Sequence, residues 1–474
     1  MSQDRRVEHP HLGSGRLLKT YAGGHEWEVL FESGRRYRLP AHEFRNYAVP
    51  ILSPSPPRAE AARSALPSAR TPTPQFRARQ TVETLRLGIV PVQDVETFTI
   101  GLETQTLSLD RALARSREQS GDVQAVIGDY GYGKSHFVEL AARRALRENF
   151  VVVSTSLDLG EVPPSKPYEI YRALIGAMRY PDNPERGLKW LLQKALQSPS
   201  AVHALQEQSP VPYCPLALTL SALANPGNQW VYTGLVHWVG GQIKNNALVR
   251  AALKKVPGVT RPPTLYVNGE VGRQYAYLLS AISTLASLVG YSGLAVLVDE
   301  SEHYSLLKAN QRERADTFFQ AMICAAMGPA NSRIHPAHIP EDHRASYPVS
   351  FSAASHLFFL FALTESENRM PVDDWLAPAQ IIGLDDRFIE RDIQRFFGSL
   401  VDCHSLAYGY PTDNGRYAQV RATAPGILSR MLGQHRLNLR EMIRTAVTLC
   451  DLLYLYGDDP PQMALDELAR GLHM

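Results

Sequence analysis

Cysteine is scarce in this chain: four residues in 474 (Cys214, Cys324, Cys403 and Cys450), far apart and with no Cys-x-x-Cys pair. That spacing argues against a disulfide framework and against a cysteine-built zinc site. It suits a reducing compartment, so a cytoplasmic protein is expected. A membrane-length apolar run is missing too. The most apolar window, Leu279 to Val298, is broken by Gly290–Gly293 and reads as a buried helix, a turn and a buried strand, so no membrane association is expected. The opening residues MSQDRRVEHP carry charge with no apolar core behind them, unlike a signal peptide. There is little net charge, but the formal +2 hides an asymmetry. Residues 1–80 hold 13 Lys/Arg against 7 Asp/Glu, and the remainder 36 against 40. A basic end on a mildly acidic body suits either an anionic partner or a solvated basic linker.

What is present divides the chain. Residues 1–47 read as a small β module. In HEWEVLFESGRRYRLP, Trp27, Val29 and Phe31 share one strand face while Glu26, Glu28 and Glu32 take the other. Turns are expected at Gly23-Gly24 and Ser33-Gly34, giving two hairpins and a small barrel suited to docking. Residues 48–80 read as a linker: seven prolines among Ala, Ser and Arg leave too little apolar surface to fold. Residues 81–384 alternate helical patterns with continuous apolar strands (Val123–Ile127, Phe150–Ser156, Gly293–Glu300, His356–Thr364). Such strands belong to a parallel sheet covered on both faces, an α/β fold, here with an insertion at about 185–290. Residues 385–474 read as a helical region.

Gly128-x-x-x-x-Gly133-Lys134-Ser135 fits a phosphate-binding loop and sits where that pattern demands, between an apolar strand and an amphipathic helix. Glycines (Gly128, Gly131, Gly133) let successive backbone N–H groups point at phosphate oxygens, and the helix N-terminus adds its positive dipole end. Lys134 is placed to reach the β- and γ-phosphates of ATP, Ser135 to ligate Mg²⁺, and His136 adjoins them. Tyr130 and Tyr132 occupy variable positions whose side chains either pack on neighbouring structure or stack on a base. A second strand ends in Asp299-Glu300, suited to hold Mg²⁺ and to act as general base, or else to cap the next helix. Glu302 is a further acid there, or a surface carboxylate. At the end of a third strand Thr364 is placed either to touch the γ-phosphate or attacking water, or simply to cap the strand.

About 165 residues separate Lys134 from Asp299. A glutamate directly after the aspartate, with another strand between the two motif strands, marks the additional-strand class of P-loop ATPases. The helical tail resembles the lid of AAA+ proteins, in which an arginine reaches the γ-phosphate. Arg440 and Arg444 are the candidates, or else solvated helix arginines. His335, His338 and His343 lie in a Pro-rich segment that reads as a surface loop in preference to a metal site.

An ordered series carries a family resemblance: VETLRLGIVPVQDVETFTIGLETQTLSLDRAL (Val82 to Leu113), AVIGDYGYGKSHFVELAARRAL, VVVSTSLDLGEVPPSKPYEIYRALIGAM, VLVDESEHY and LREMIR. The series resembles the BREX-type ATP-binding proteins, especially the smaller BrxD-like members. It spans roughly 82–456 and is weakest at 185–290 and 328–350. The resemblance implies an AAA+-like ATPase encoded with antiphage defence genes, often beside a helicase and a DNA methyltransferase. It supports Lys134, Ser135, Asp299 and Glu300, and gives weight to Glu302. Val7 to Phe44 is similar to the Tudor or SH3-like module of UvrD-type helicases and to CarD-type polymerase-binding domains, which contact protein or nucleic acid. Arg35, Arg36 and Arg38 would then either touch phosphates or solubilise a strand edge.

The reading expected is a cytoplasmic ATP hydrolase acting on DNA or a DNA-processing partner. Its tethered head recruits that DNA, a partner helicase or another defence protein. AAA+ proteins usually complete their site with a neighbour's arginine, so a homo-oligomer is expected, with Arg312, Arg314, Arg333 and Arg369 as possible donors. The alternative is a nucleotide-dependent switch or scaffold with little turnover. A small-molecule kinase fits the head, linker and tail poorly.

Overall fold

The computed structural model describes residues 6–9, 13–21, 26–31, 36–40, 72–224, 229–244, 247–328, 332–344, 346–385, 388–412, 415–434, 437–456 and 465–466. The expected turns at Gly23-Gly24 and Ser33-Gly34, the linker up to residue 71, and Arg35 lie outside the described residues. The chain forms two compact units, one up to Thr71 and one from Pro72 onward.

The first unit is an antiparallel meander of β1 (Arg6–His9), β2 (Gly13–Tyr21), β3 (Glu26–Phe31) and β4 (Arg36–Pro40), paired in chain order. The alternation seen in the sequence sets its faces. Trp27, Val29 and Phe31 are buried with Val7, and Leu17, Tyr37 and Leu39 pack against them. A register irregularity between Leu17 and Lys19 bends β2 along β3.

The second unit is built on a five-stranded parallel sheet. Its strands are β5 (Gly121–Ile127), β6 (Val151–Ser156), β7 (Leu294–Asp299), β8 (Leu357–Leu363) and β9 (Ile381–Gly383). They lie in the order β6-β7-β8-β5-β9, so β8 sits between β5 and β7. These strands are apolar on both faces because helices cover both faces. One face packs Val126, Val152, Leu297 and Phe358 against α2 (Glu103–Glu118) and α3 (Lys134–Arg147). The other packs Val123, Val153, Val296 and Phe359 against α4 (Pro167–Gly176) and against two later helices over Gly272–Leu288 and Ala309–Met327.

The segment expected as an insertion shares that second core. Its helices are α5 (Lys189–Leu196), α6 (Pro199–Glu207), α7 (Pro215–Ala224), α8 (Gln229–Val239) and α9 (Ala247–Leu253). Leu191, Leu205, Leu220, Trp238 and Leu253 belong to one apolar cluster with the strands. α10 (Gly272–Leu288) lies directly against β7 and against α11 (Ala309–Met327). The approach of those two helices is close: a Cβ on Gly272 would stand 2.7 Å from the Phe318 backbone nitrogen.

A short α12 (Val372–Trp375) leads to β9, and the chain then turns helical: α13 (Glu390–Tyr408), α14 (Gly415–Gly433) and α15 (Leu439–Leu455). These pack with α1 (Pro74–Arg86), which begins inside the segment read as linker. Thr73 caps it, its hydroxyl accepting from the Phe76 N–H at 3.2 Å, and Pro74 takes the first helical turn, where its missing donor costs nothing. Ala78, Val82 and Leu85 recur at helical spacing and are buried against the C-terminal helices. A polar tie accompanies them. Buried His404 sits between the Tyr410 hydroxyl (2.7 Å) and Asp451 (3.0 Å), and Arg86 donates to the same Asp451 carboxylate at 3.0 Å. Among the described residues no helix is long and apolar enough to cross a membrane.

Candidate functional site

The loop between β5 and α3 is shaped by its glycines. Gly131 and Gly133 hold φ of +88° and +87°, a region where an L side chain is strained, and Gly133 leads straight into α3. Gly128 lies against Leu384, its N–H bonded to the Leu363 carbonyl of β8 at 3.2 Å. Lys134 is buried. Its ammonium donates to the Gly128 and Asp129 carbonyls at 3.1 and 3.2 Å and stands 3.9 Å from Glu302 Oε1. His136 Nε2 is 2.9 Å from the Thr99 hydroxyl, and burial pushes its imidazole down to about 4.

β7 carries the acidic groups to the same place. Ser135 stands beside the Asp299 carboxyl; burial raises the Asp299 pKa overall, and the neighbouring Ser135 hydroxyl pulls it the other way. Glu300 then adopts a left-handed backbone (φ 57°), costly for a residue with a side chain. The kink starts a 3₁₀ turn over Ser301–Leu306 and brings Glu300 and Glu302 to one pocket. Burial, and the adjacent carboxyls of Glu302 and Asp299, push the Glu300 carboxyl up to about 7. Thr364, just past the end of β8, donates its hydroxyl to Glu302 Oε1 at 2.9 Å. Among the described residues the other Glu302 oxygen, Oε2, is buried without a donor.

The lining of this pocket is of two kinds. Gly131, Gly133, Lys134, Ser135, His136, Glu300 and Glu302 bring backbone amides and polar side chains. Ile89, Val90, Phe98, Ile100 and Phe388 bring an apolar wall. Sequence reasoning did not assign this wall. Its signal is the apolar string in LRLGIVPV and FTI, where Ile89 is 57% exposed despite its hydrophobicity.

The first turn of α15 closes over the loop. Asn438 lies against Gly131 and Leu439 beside Gly133. Arg440 donates from Nη1 to the Tyr130 hydroxyl at 2.7 Å, its guanidinium 5.2 Å from the centre of that ring. Tyr130 therefore meets a neighbouring helix. Arg444 does not line the pocket; its side chain lies with that of Arg440 against Gly88.

The other singled-out residues lie elsewhere. Arg312 donates to the Ser305 carbonyl, Arg314 pairs with Glu270, Arg333 donates to the Leu376 carbonyl, and Arg369 pairs with Glu365 and Asp373. The His335 and His338 rings are 5.3 Å apart, but His335 accepts from the Ala337 N–H and His343 lies beside Asp342. Among the described residues no three His, Cys, Asp or Glu side chains gather as a metal site. Ser135 and Asp299 do bring a hydroxyl and a carboxylate together, the hard oxygen donors that Mg²⁺ takes when nucleotide phosphates supply the rest of its shell.

Residues 74–210 match the family model described as BREX system ATP-binding protein BrxC/D. The matched span contains α1, the apolar wall segment, the glycine loop and α3. No curated protein matches the chain.

Proposed function

We propose that the second unit is an AAA+-like P-loop ATPase of the additional-strand class. The observation that carries this reading is that Lys134 and Ser135 of the glycine loop and Glu300 at the end of β7 line one pocket, with Asp299 beside Ser135. The sheet order supports it, because β8 lies between the strand that enters the loop and the strand that ends in the acids.

ATP takes the pocket with its base against the apolar wall and its phosphates over the loop amides. Lys134 holds the β- and γ-phosphate oxygens, and the α3 N-terminus adds its dipole. Ser135 and Asp299 would hold Mg²⁺, which would supply charge neutralisation at the phosphates. Glu300 accepts a proton from water as that water attacks the γ-phosphorus in line, and ADP leaves as the γ-phosphoryl passes to the water oxygen. Thr364 orders the reacting end through its hydroxyl. Arg440, and behind it Arg444, report the nucleotide to the helical region, whose α1 partner links it back to the wall segment. In an oligomer a neighbour's arginine completes the charge stabilisation, with Arg312, Arg314, Arg333 and Arg369 the candidate donors.

The match over 74–210 supports action within a BREX-type antiphage system. In this reading the first unit is a Tudor/SH3-like recruiter of DNA or of a DNA-processing partner, such as a helicase. The test is Mg²⁺-dependent phosphate release and equilibrium ATP binding by the full chain and by Lys134→Ala. Loss of both in the variant is expected; ATP affinity kept by Lys134→Ala would overturn the site.

A further inference from the structure

Glu302 sits two residues past the acid pair, where a carboxylate at the surface is the ordinary expectation. Its surroundings are not those of a surface group. Oε1 accepts from the Thr364 hydroxyl at 2.9 Å and lies 3.9 Å from the Lys134 ammonium. Oε2 is buried with no donor among the described residues, and the Glu300 carboxyl stands against this side chain. One carboxylate thus meets three groups that come from β8, from α3 and from the end of β7.

The turn that carries Glu302 is pinned from outside the pocket. The Ser305 hydroxyl donates to the Glu302 carbonyl at 2.7 Å, and Arg312 donates to the Ser305 carbonyl at 2.8 Å. Tyr304 is buried, with Asp316 of α11 beside it. The left-handed backbone at Glu300 is the kink that swings this turn inward. A strained residue held by a braced turn is what a site spends structure on to fix a side chain.

We propose that Glu302 is a positioning residue of the ATPase site: through its contacts with Thr364, Lys134 and Glu300 it sets where the γ-phosphate and the attacking water meet. This rests on the ATPase reading above. Glu302 acts on groups that touch the substrate, so its removal should slow turnover while ATP binding, which the loop amides and Lys134 provide, survives.

The test is steady-state phosphate release against ATP concentration, with equilibrium ATP binding, for the full chain with Mg²⁺. The variants are Glu302→Ala, Glu302→Gln, Thr364→Val, the Glu302→Ala/Thr364→Val double and Lys134→Ala. Glu302→Ala should lower kcat by about tenfold or more with ATP affinity within about threefold of wild type. Glu302→Gln keeps the acceptor for Thr364 and should recover part of the loss; its near-identical shape carries the test if Glu302→Ala does not fold. Thr364→Val should lower kcat alone but add less than about twofold to Glu302→Ala, because the two act as one unit. Unchanged kcat in both Glu302 variants, or losses that multiply in the double, would overturn the proposal while leaving the ATPase reading in place. A wild-type chain with no Lys134-dependent phosphate release would overturn both.

Discussion

Arg440, on the first turn of α15, donates a 2.7 Å hydrogen bond to the hydroxyl of Tyr130, at the tip of the glycine loop. The contact joins residues from the two ends of the second unit and sets the helical region directly on the loop. An exposed neutral-to-cation bond of this kind is worth only about 1 kcal/mol, so its loss alone is mild. Tyr130→Phe should change ATP affinity by less than about threefold. Arg440→Ala should weaken it by about tenfold or more, since a cation lining the pocket is lost as well. Equilibrium binding with a fluorescent ATP analogue separates the two, and equal effects would confine Arg440 to the tyrosine contact.

A pH effect follows from His136. Burial lowers its pKa from 6.5 to about 4, so the unfolded chain binds the extra proton first as pH falls. Its contribution to stability is complete above about 6.5 and is lost progressively as pH falls toward 4. His136→Gln keeps a polar partner for Thr99 and does not titrate. Its thermal midpoint should therefore fall less than that of wild type between pH 7 and pH 5, and parallel curves would show that the imidazole is not held neutral.

Gly272→Ala tests the packing beneath the sheet. The new methyl would press on the α11 backbone, with the Phe318 nitrogen at 2.7 Å, where no flexible side chain can move aside. A loss of about 1–3 kcal/mol is expected in denaturant unfolding, despite the better helix propensity of alanine. A neutral or stabilising outcome would mean that α10 and α11 lie further apart.

Removing residues 1–71 takes away one compact unit and leaves the other whole. ATP affinity and phosphate release should stay within about twofold, while affinity for duplex DNA at low salt should fall about tenfold or more, with a shallower salt dependence. DNA binding unchanged by the truncation would move the DNA contact to the second unit.

The parts legible in the sequence were those with a local pattern. Continuous apolar strands announced a covered parallel sheet, and strand, glycine loop and helix in succession pointed to Lys134 and Ser135. Asp299-Glu300 stood out because it ends a buried strand. What escaped depends on long-range packing. α1 was hidden by its proline-rich surroundings, and only its burial against Phe396, Phe397 and Met442 on the C-terminal helices reveals why it folds. The apolar wall from Ile89 to Ile100 has no helical or strand period to betray it. The placement of Glu302 follows from a left-handed kink at Glu300, a conformation that residue type does not suggest.

The central claim is that Glu300 is the base of a hydrolytic site, and Glu300→Gln tests it most directly. The amide keeps the shape and the burial but cannot take the proton from water. Single-turnover phosphate release should fall by about a hundredfold or more, with ATP bound as tightly as by wild type. Phosphate release at the wild-type rate by Glu300→Gln would contradict the account.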